Sequence, residues 1–304
     1  MRTSMKRILV YTDGGHGASL SHVAMTLTSL KRAVFNIHEH SNPLPARFLV
    51  DTITPEELLR DNWTHSCSLI VMPGGRDLPY VARLRGAGNQ RIKDFVHNGG
   101  SYLGLCAGGY YGSAAVEFAK GDPILEVTGP RELGFFPGIA RGPVFPGFQY
   151  RSNSGGKACL VRLTPHALSL VRAMFPDETK STGTWEPDRS VVARFYLNGG
   201  CSFVSPDTVT AAGKSTVDVL GEYQDLDGCD SLAAVVKCRV GRGMAVLSGV
   251  HFETSCSMLS TEYKNDAHVS KLLPELVPSE PYRELLFGSI VKYLLESALI
   301  FNLK

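Results

Sequence analysis

The 304-residue sequence predicts an α/β fold: a doubly wound, mostly parallel sheet with a β-rich insertion. Three observations predict it. Short apolar runs such as "RILVY" (7–11) and "CSLIVM" (67–72) lack the alternation of a half-exposed strand, as expected of strands covered on both faces. Stretches of helical spacing lie between such runs. The second half instead shows strand-like runs separated by Gly, Pro, Asn and Asp.

In order, "RILVY" ends in the turn "TDGGHG", and "SLSHVAMTLTSLKR" (19–32) follows with helical spacing. "AVFNI" (33–37) reads as the next strand. Thr54 before Pro55 and two acidic residues is a good helix start. "CSLIVMPGG" (67–75) is a central strand running into glycines. "NQRIKDFVHNGG" (89–100) is an amphipathic helix closed by glycine, and "SYLGLC" (101–106) is the strand after it. "ILEVTG" (124–129), "GKACLVRL" (156–163), "SVVARFYL" (190–197) and "VDVLGEY" (217–223) supply the insertion. Two further strands flank Gly241-Arg242-Gly243, a hairpin turn between apolar runs. "PYRELLFGSIVKYLLESALIF" (281–301) is a long helix expected to pack on the sheet. With no repeat and no low-complexity linker, one domain over 1–304 is the simplest account.

Hydrophobic content of 43%, charged content of 20% and a net charge of +2 are ordinary globular values. They point to neither a nucleic-acid nor a membrane partner. The seven cysteines are odd in number, widely spaced and contain no C-x-x-C pair, so neither a disulfide framework nor a zinc site is expected. The first apolar run is too short for a signal peptide, and Asn62-Trp63-Thr64 is read as a chance acceptor motif; a cytoplasmic protein without metal or cofactor is expected. Asp13-Gly14-Gly15-His16-Gly17 lacks the rest of a phosphate-binding fingerprint and reads as a turn beside the site. His38-Glu39-His40 has no third metal ligand at useful spacing.

"GSYLGLCAGGYYGS" (100–113) carries the chemistry. A lone cysteine is ordinarily a small core residue. Cys106, however, ends a strand with Gly104 two residues before it and Gly108 two after, the spacing a sharp nucleophile-bearing turn requires. The N–H of Ala107 at that turn and a glycine of Gly74-Gly75, which ends another strand, are candidate oxyanion donors. A thiol nucleophile needs a base and the base an orienting group. His251 and Glu253 stand two apart past a strand end, and on extended chain that spacing points both the same way.

Gly104-x-Cys106-x-Gly108 with a downstream His-x-Glu resembles the class I glutamine amidotransferase fold, and "MPGGRDLPY", "GLCAGGYYGSAAVEFAKGDP", "RELGFFPG", "RGPVFPGFQY" and "FYLNGG" resemble the N-terminal domain of biotin–protein ligases. The resemblance implies a flavodoxin-like fold, Cys106 as nucleophile, His251 as base, Glu253 as orienter, and Gly75 and Ala107 as oxyanion hole. No ligase catalytic domain is expected, because the chain after Gly243 is too short for one. Tyr110 stands where working amidotransferases usually carry glutamine, and Phe252 where they carry proline. Gly74, Asp77, Tyr110, Glu117, Tyr196 and Asn198 are the expected substrate-binding residues, with Asp122 beside them. Two functions stay open. One is thiol-dependent hydrolysis or acyl or amido transfer on a small amide. The other is a non-catalytic module that binds a small polar metabolite and acts on a partner such as a separate biotin ligase or a carboxylase.

Overall fold

The computed structural model describes residues 5–302 except 40–43, 45, 61, 183–184, 186–189, 206–216, 227 and 229–231. The chain lays down its parallel strands first. β1 (Met5–Tyr11), α1 (Leu20–Glu39), β2 (Arg47–Ile53), α2 (Pro55–Arg60), β3 (Cys67–Met72), α3 (Asp77–Leu84), α4 (Ala87–His97) and β4 (Ser101–Leu105) follow one another. Next come α5 (Ala107–Gly112), β5 (Ser113–Phe118), β6 (Val127–Pro130), β7 (Phe136–Gly142), β8 (Lys157–Leu163), α6 (Pro165–Met174) and α7 (Pro176–Thr182). β9 (Val191–Leu197), β10 (Ser202–Val204), β11 (Val217–Tyr223), β12 (Ala233–Val240) and β13 (Gly243–Ser248) precede the closing helices α8 (Cys256–Glu262), α9 (Ala267–Leu276) and α10 (Glu280–Asn302).

Among the described residues, nine strands form one sheet in the order β2-β1-β3-β4-β13-β12-β11-β8-β9. The first five run parallel, and the last four add on antiparallel, so the sheet is mixed. A second, four-stranded sheet, β10-β7-β5-β6, is the β-rich insertion. β3 is buried at every position, as its unbroken apolar run requires. Helices cover both faces. The Ser101 hydroxyl donates to the Leu294 carbonyl of α10 at 2.7 Å, while its neighbour Tyr102 points the opposite way and donates to the Gly108 carbonyl of α5 at 2.7 Å.

Thr54 starts α2 through a reciprocal cap: Glu57 N donates to its hydroxyl, and Thr54 N donates to the Glu57 carboxylate at 2.8 Å. Gly241 and Arg242 make the turn between β12 and β13. Two points differ from the sequence reading. Of the four runs assigned to the insertion only "ILEVTG" joins the second sheet, as β6, while "GKACLVRL", "SVVARFYL" and "VDVLGEY" are β8, β9 and β11 and extend the main sheet. "AVFNI" is not a strand but the end of α1, because Leu30, Ala33, Val34 and Ile37 recur at helical spacing and are buried, while Phe35 is exposed. The second strand is instead β2, whose alternating burial marks a sheet edge.

The turn at Cys106 depends on glycine for room. A Cβ on Gly104 would lie 2.3 Å from the Gly108 carbonyl oxygen, and one on Gly108 would lie 2.0 Å from that of Met72. Both obstacles are backbone. Gly108→Ala is expected to cost about 2 kcal/mol or more of stability, read as a lower urea midpoint at unchanged slope.

Candidate active site

β3, β4 and β13 are parallel neighbours, so their carboxyl ends share one rim of the sheet, where open α/β sheets hold ligands. Gly74 and Gly75 follow β3, Cys106 follows β4, and His251 and Glu253 follow β13. Cys106 has φ 50° and ψ −103°, a left-handed conformation that a non-glycine residue adopts only under constraint. The constraint is a hydrogen bond from its N–H to the Ser248 carbonyl at 2.8 Å, with Gly109 N and Tyr110 N donating to its own carbonyl. Its Sγ lies 3.9 Å from the Asn198 carbonyl oxygen.

His251 is fully buried, and its Nδ1 lies 2.7 Å from Oε1 of Glu253, itself 2% exposed. Phe252 between them turns the other way onto Phe287 of α10, with ring centroids 5.8 Å apart. The backbone of His251 is fixed from the far edge of the sheet: the antiparallel half curls round, and His251 N donates to the Tyr196 carbonyl of β9 at 2.8 Å. Burial lowers the imidazole pKa, but the Glu253 charge and the Cys106 thiol outweigh it and raise the value to about 10. Nε2 has no aligned hydrogen-bond partner.

His22, on α1 and marked by no motif, stacks on His251 with ring centroids 4.6 Å apart and planes at 28°. Burial, then the adjacent His251, lower its pKa to about 3. Of the two stacked rings, one is cationic and the other neutral. Gly74 makes room for both, since a Cβ there would lie 2.6 Å from His22 Nδ1 and 2.8 Å from His251 Cε1.

Two cavities of about 620 and 480 Å³ meet at Cys106, and Gly75, Arg76, Phe148, Tyr150 and Asn198 line both. Ala107, Asp77 and Tyr110 line the larger. Asp77 is engaged, its carboxylate 2.7 Å from Arg131 Nε. The Tyr110 hydroxyl donates to the Gly199 carbonyl at 3.0 Å. Asn198 donates to the Ser152 carbonyl at 2.9 Å, leaving its buried Oδ1 without a partner. Tyr196 lines neither cavity; it lies behind His251, its hydroxyl on Asn153. Glu117 is not brought to the cavities either, because Lys120 and Arg141 hold its carboxylate on β5. Asp122 caps the N–H groups of Ile124 and Leu125. The Asp13 carboxylate closes its own loop onto the N–H groups of Gly17 and Ala18. His38 packs on Phe48, and His40 lies outside the described residues. Besides His22, sequence reasoning missed Arg76, Phe148 and Tyr150; they lie within the family-like stretches "MPGGRDLPY" and "RGPVFPGFQY", but no catalytic spacing marks them and they meet Cys106 only through folding.

The profile of the family described as biotin-protein ligase, N terminal, matches residues 6–296. The chain belongs to this family. It is 36% identical over 281 residues to a biotin–protein ligase of Schizosaccharomyces pombe, covering 90% of this chain but only 38% of that protein. It is 33% identical to an uncharacterized protein of Chlamydia muridarum, covering 97% of this chain and 99% of that one. A glutamine amidotransferase from Thermotoga maritima shares the fold, with a TM-score of 0.53 and 13% identity over 96% of this chain and 98% of that one. This member of the biotin–protein ligase N-terminal family therefore has the flavodoxin-like fold of class I glutamine amidotransferases. Among its described residues no helix is long and apolar enough to cross a membrane.

A histidine whose folded pKa rises from 6.5 to about 10 stabilises the fold fully below about pH 6.5 and loses that contribution as pH climbs towards 10. Urea unfolding between pH 6 and 10 should show this loss in the wild type. Glu253→Gln, which removes the main raising charge, should flatten the dependence and lower stability most at pH 6. An equal loss at every pH would contradict the assignment of the ion pair.

Proposed function

We propose that this family member is a cysteine-dependent hydrolase or acyl-transfer enzyme acting on a small amide or related acyl compound. The observation that supports the reading best is the buried Glu253–His251 pair at 2.7 Å, set beside a cysteine held at a strand end and opening on two cavities. Sγ of Cys106, its proton already held by the imidazolium of His251, attacks the acyl carbon. The carbonyl π electrons move to oxygen, where Gly75 N–H and Ala107 N–H, which flank Cys106 in the larger cavity, are the proposed donors. The protonated ring gives its proton to the leaving amine as the C–N bond breaks, leaving a thioester. Water or a second amine, deprotonated by His251, then attacks the thioester and releases Cys106. Glu253 holds the ring in one tautomer and stabilises its cation throughout.

Mass spectrometry of the wild type with a panel of small amides and thioesters should find an acyl adduct on Cys106. Cys106→Ala should form none. His251→Asn should slow both adduct formation and the alkylation of Cys106 by neutral iodoacetamide, the catalytic step by about 10³-fold. Alkylation at the same rate in His251→Asn, with no adduct from any acyl compound, would overturn the reading.

One observation favours the second function, a binding module that regulates a biotin–protein ligase. Tyr110 fills the place of the usual glutamine and ties its hydroxyl to Gly199, which narrows the larger cavity beside Cys106. A ligand that raises the thermal unfolding midpoint of Cys106→Ala as much as that of the wild type, with no turnover by either, is the result that module would give.

A further inference from the structure

The charge around Cys106 is one-sided. Among the residues lining either cavity, Asp77 of the larger is the sole carboxylate, and Arg131 neutralises it at 2.7 Å. Glu253 is met by the imidazolium of His251. Glu262 and Asp266 accept hydrogen bonds from Ser21 and Asn153, and Asp13 accepts them from the Gly17 and Ala18 N–H groups; all three carboxylates sit behind the wall and line neither cavity. Against these stand Arg76, which lines both cavities, Arg151 in the smaller and Arg83 in the larger. Arg83 pairs with Glu56 across 3.5 Å. Among the described residues, Arg76 and Arg151 form no ion pair, and Arg76 spends only one donor, on the His16 carbonyl at 2.7 Å.

The walls differ from the rim. Phe118, Phe148, Tyr150, Leu78 and Val127 give the larger cavity an apolar lining. Phe148 and Tyr150 stand edge to face with centroids 5.1 Å apart at the junction of the cavities. A cleft with low-dielectric walls and charge of one sign concentrates its field on whatever enters. Guanidinium groups there bind acid groups, and weakly hydrated arginine tolerates the apolar surroundings better than lysine would.

We propose that the compound taken by this cleft is an organic anion: an apolar, ring-bearing body seated against Phe148 and Tyr150, with an acid group held between Arg76 and Arg151. On the reading of Cys106 as nucleophile, the scissile acyl group of that anion lies at the junction, so the substrate class is an anionic amide or thioester and not free zwitterionic glutamine. The charge argument deepens that reading, but its test does not need a reactive thiol.

The full-length Cys106→Ala protein is titrated by fluorescence with anilinonaphthalene sulfonate and with uncharged phenylnaphthylamine. The sulfonate should bind at least about 10-fold more tightly, the gain expected from one charge-assisted contact. Arg76→Gln with Arg151→Gln should remove most of that preference while leaving the uncharged dye's affinity within about 2-fold. Benzoate or phenyl phosphate should displace the sulfonate, and the stronger competitor identifies the acid group. Equal binding of the two dyes, a preference that survives loss of both arginines, or displacement by neither competitor would overturn the proposal. Because Cys106 is absent from this protein, such a failure leaves the acyl-transfer reading intact, and a chemically inert Cys106 leaves this result standing.

Discussion

A carboxylate and an imidazole are buried together, and the rim of the sheet is arranged around that fact. Neither group could stay charged alone at 0–2% exposure, since an isolated buried ion would shed its charge. At 2.7 Å each supplies what burial took from the other. The pair is fixed from several sides. The Ser29 hydroxyl of α1 donates to the Glu253 carbonyl at 2.5 Å, Tyr196 of β9 receives the His251 N–H, and Phe252 is wedged against α10. Distant parts of the chain therefore meet at this one pair. Loss of either partner leaves the other charge stranded, which is why such a pair weighs on stability as well as on chemistry.

The second histidine extends the same logic. A stacked imidazole could compete for the proton, yet His22 is held neutral by burial and by the cation beside it. It packs on the face of the His251 ring without offering another positive charge, which limits the ring's freedom to swing away from Cys106. Gly74, which directly precedes the candidate oxyanion donor Gly75, is what lets the two rings approach. A position that the sequence presents as a tight turn is thus also a gap shaped for two side chains.

What was legible in the sequence follows from what each signal measures. Continuous apolar runs mark β1, β3 and β4 because those strands are shielded on both faces. Gly104-x-Cys106-x-Gly108 is readable because backbone passes within contact of both glycines. His251 and Glu253 are two apart on extended chain, so their shared direction is local information. "AVFNI" misled because its β-branched and aromatic residues suit a strand, while the buried face of α1 decided the outcome. His22, Arg76 and Tyr150 were invisible for another reason: their roles exist only in contacts between segments far apart in the chain. Glu117 was placed near the cysteine by sequence distance, but β5 turns it towards Lys120 and Arg141.

The two departures from the amidotransferase pattern then have a common physical meaning. Phe252 keeps the extended spacing that directs His251 and Glu253 to one side, and in place of proline's rigidity it uses burial against Phe287. Tyr110 does more than line the larger cavity. Its ring stands edge to face on Phe118, with centroids 5.7 Å apart, Phe118 does the same on Phe148 at 5.2 Å, and Phe148 does so on Tyr150 at 5.1 Å. These contacts form one aromatic wall from the helix after Cys106 to the junction of the two cavities. Such pairs add stability beyond their buried area and fix ring orientation. A glutamine at position 110 would remove the first member of that wall, so the change from an amide to a phenol alters the character of the whole cleft and leaves the three residues at its base in place.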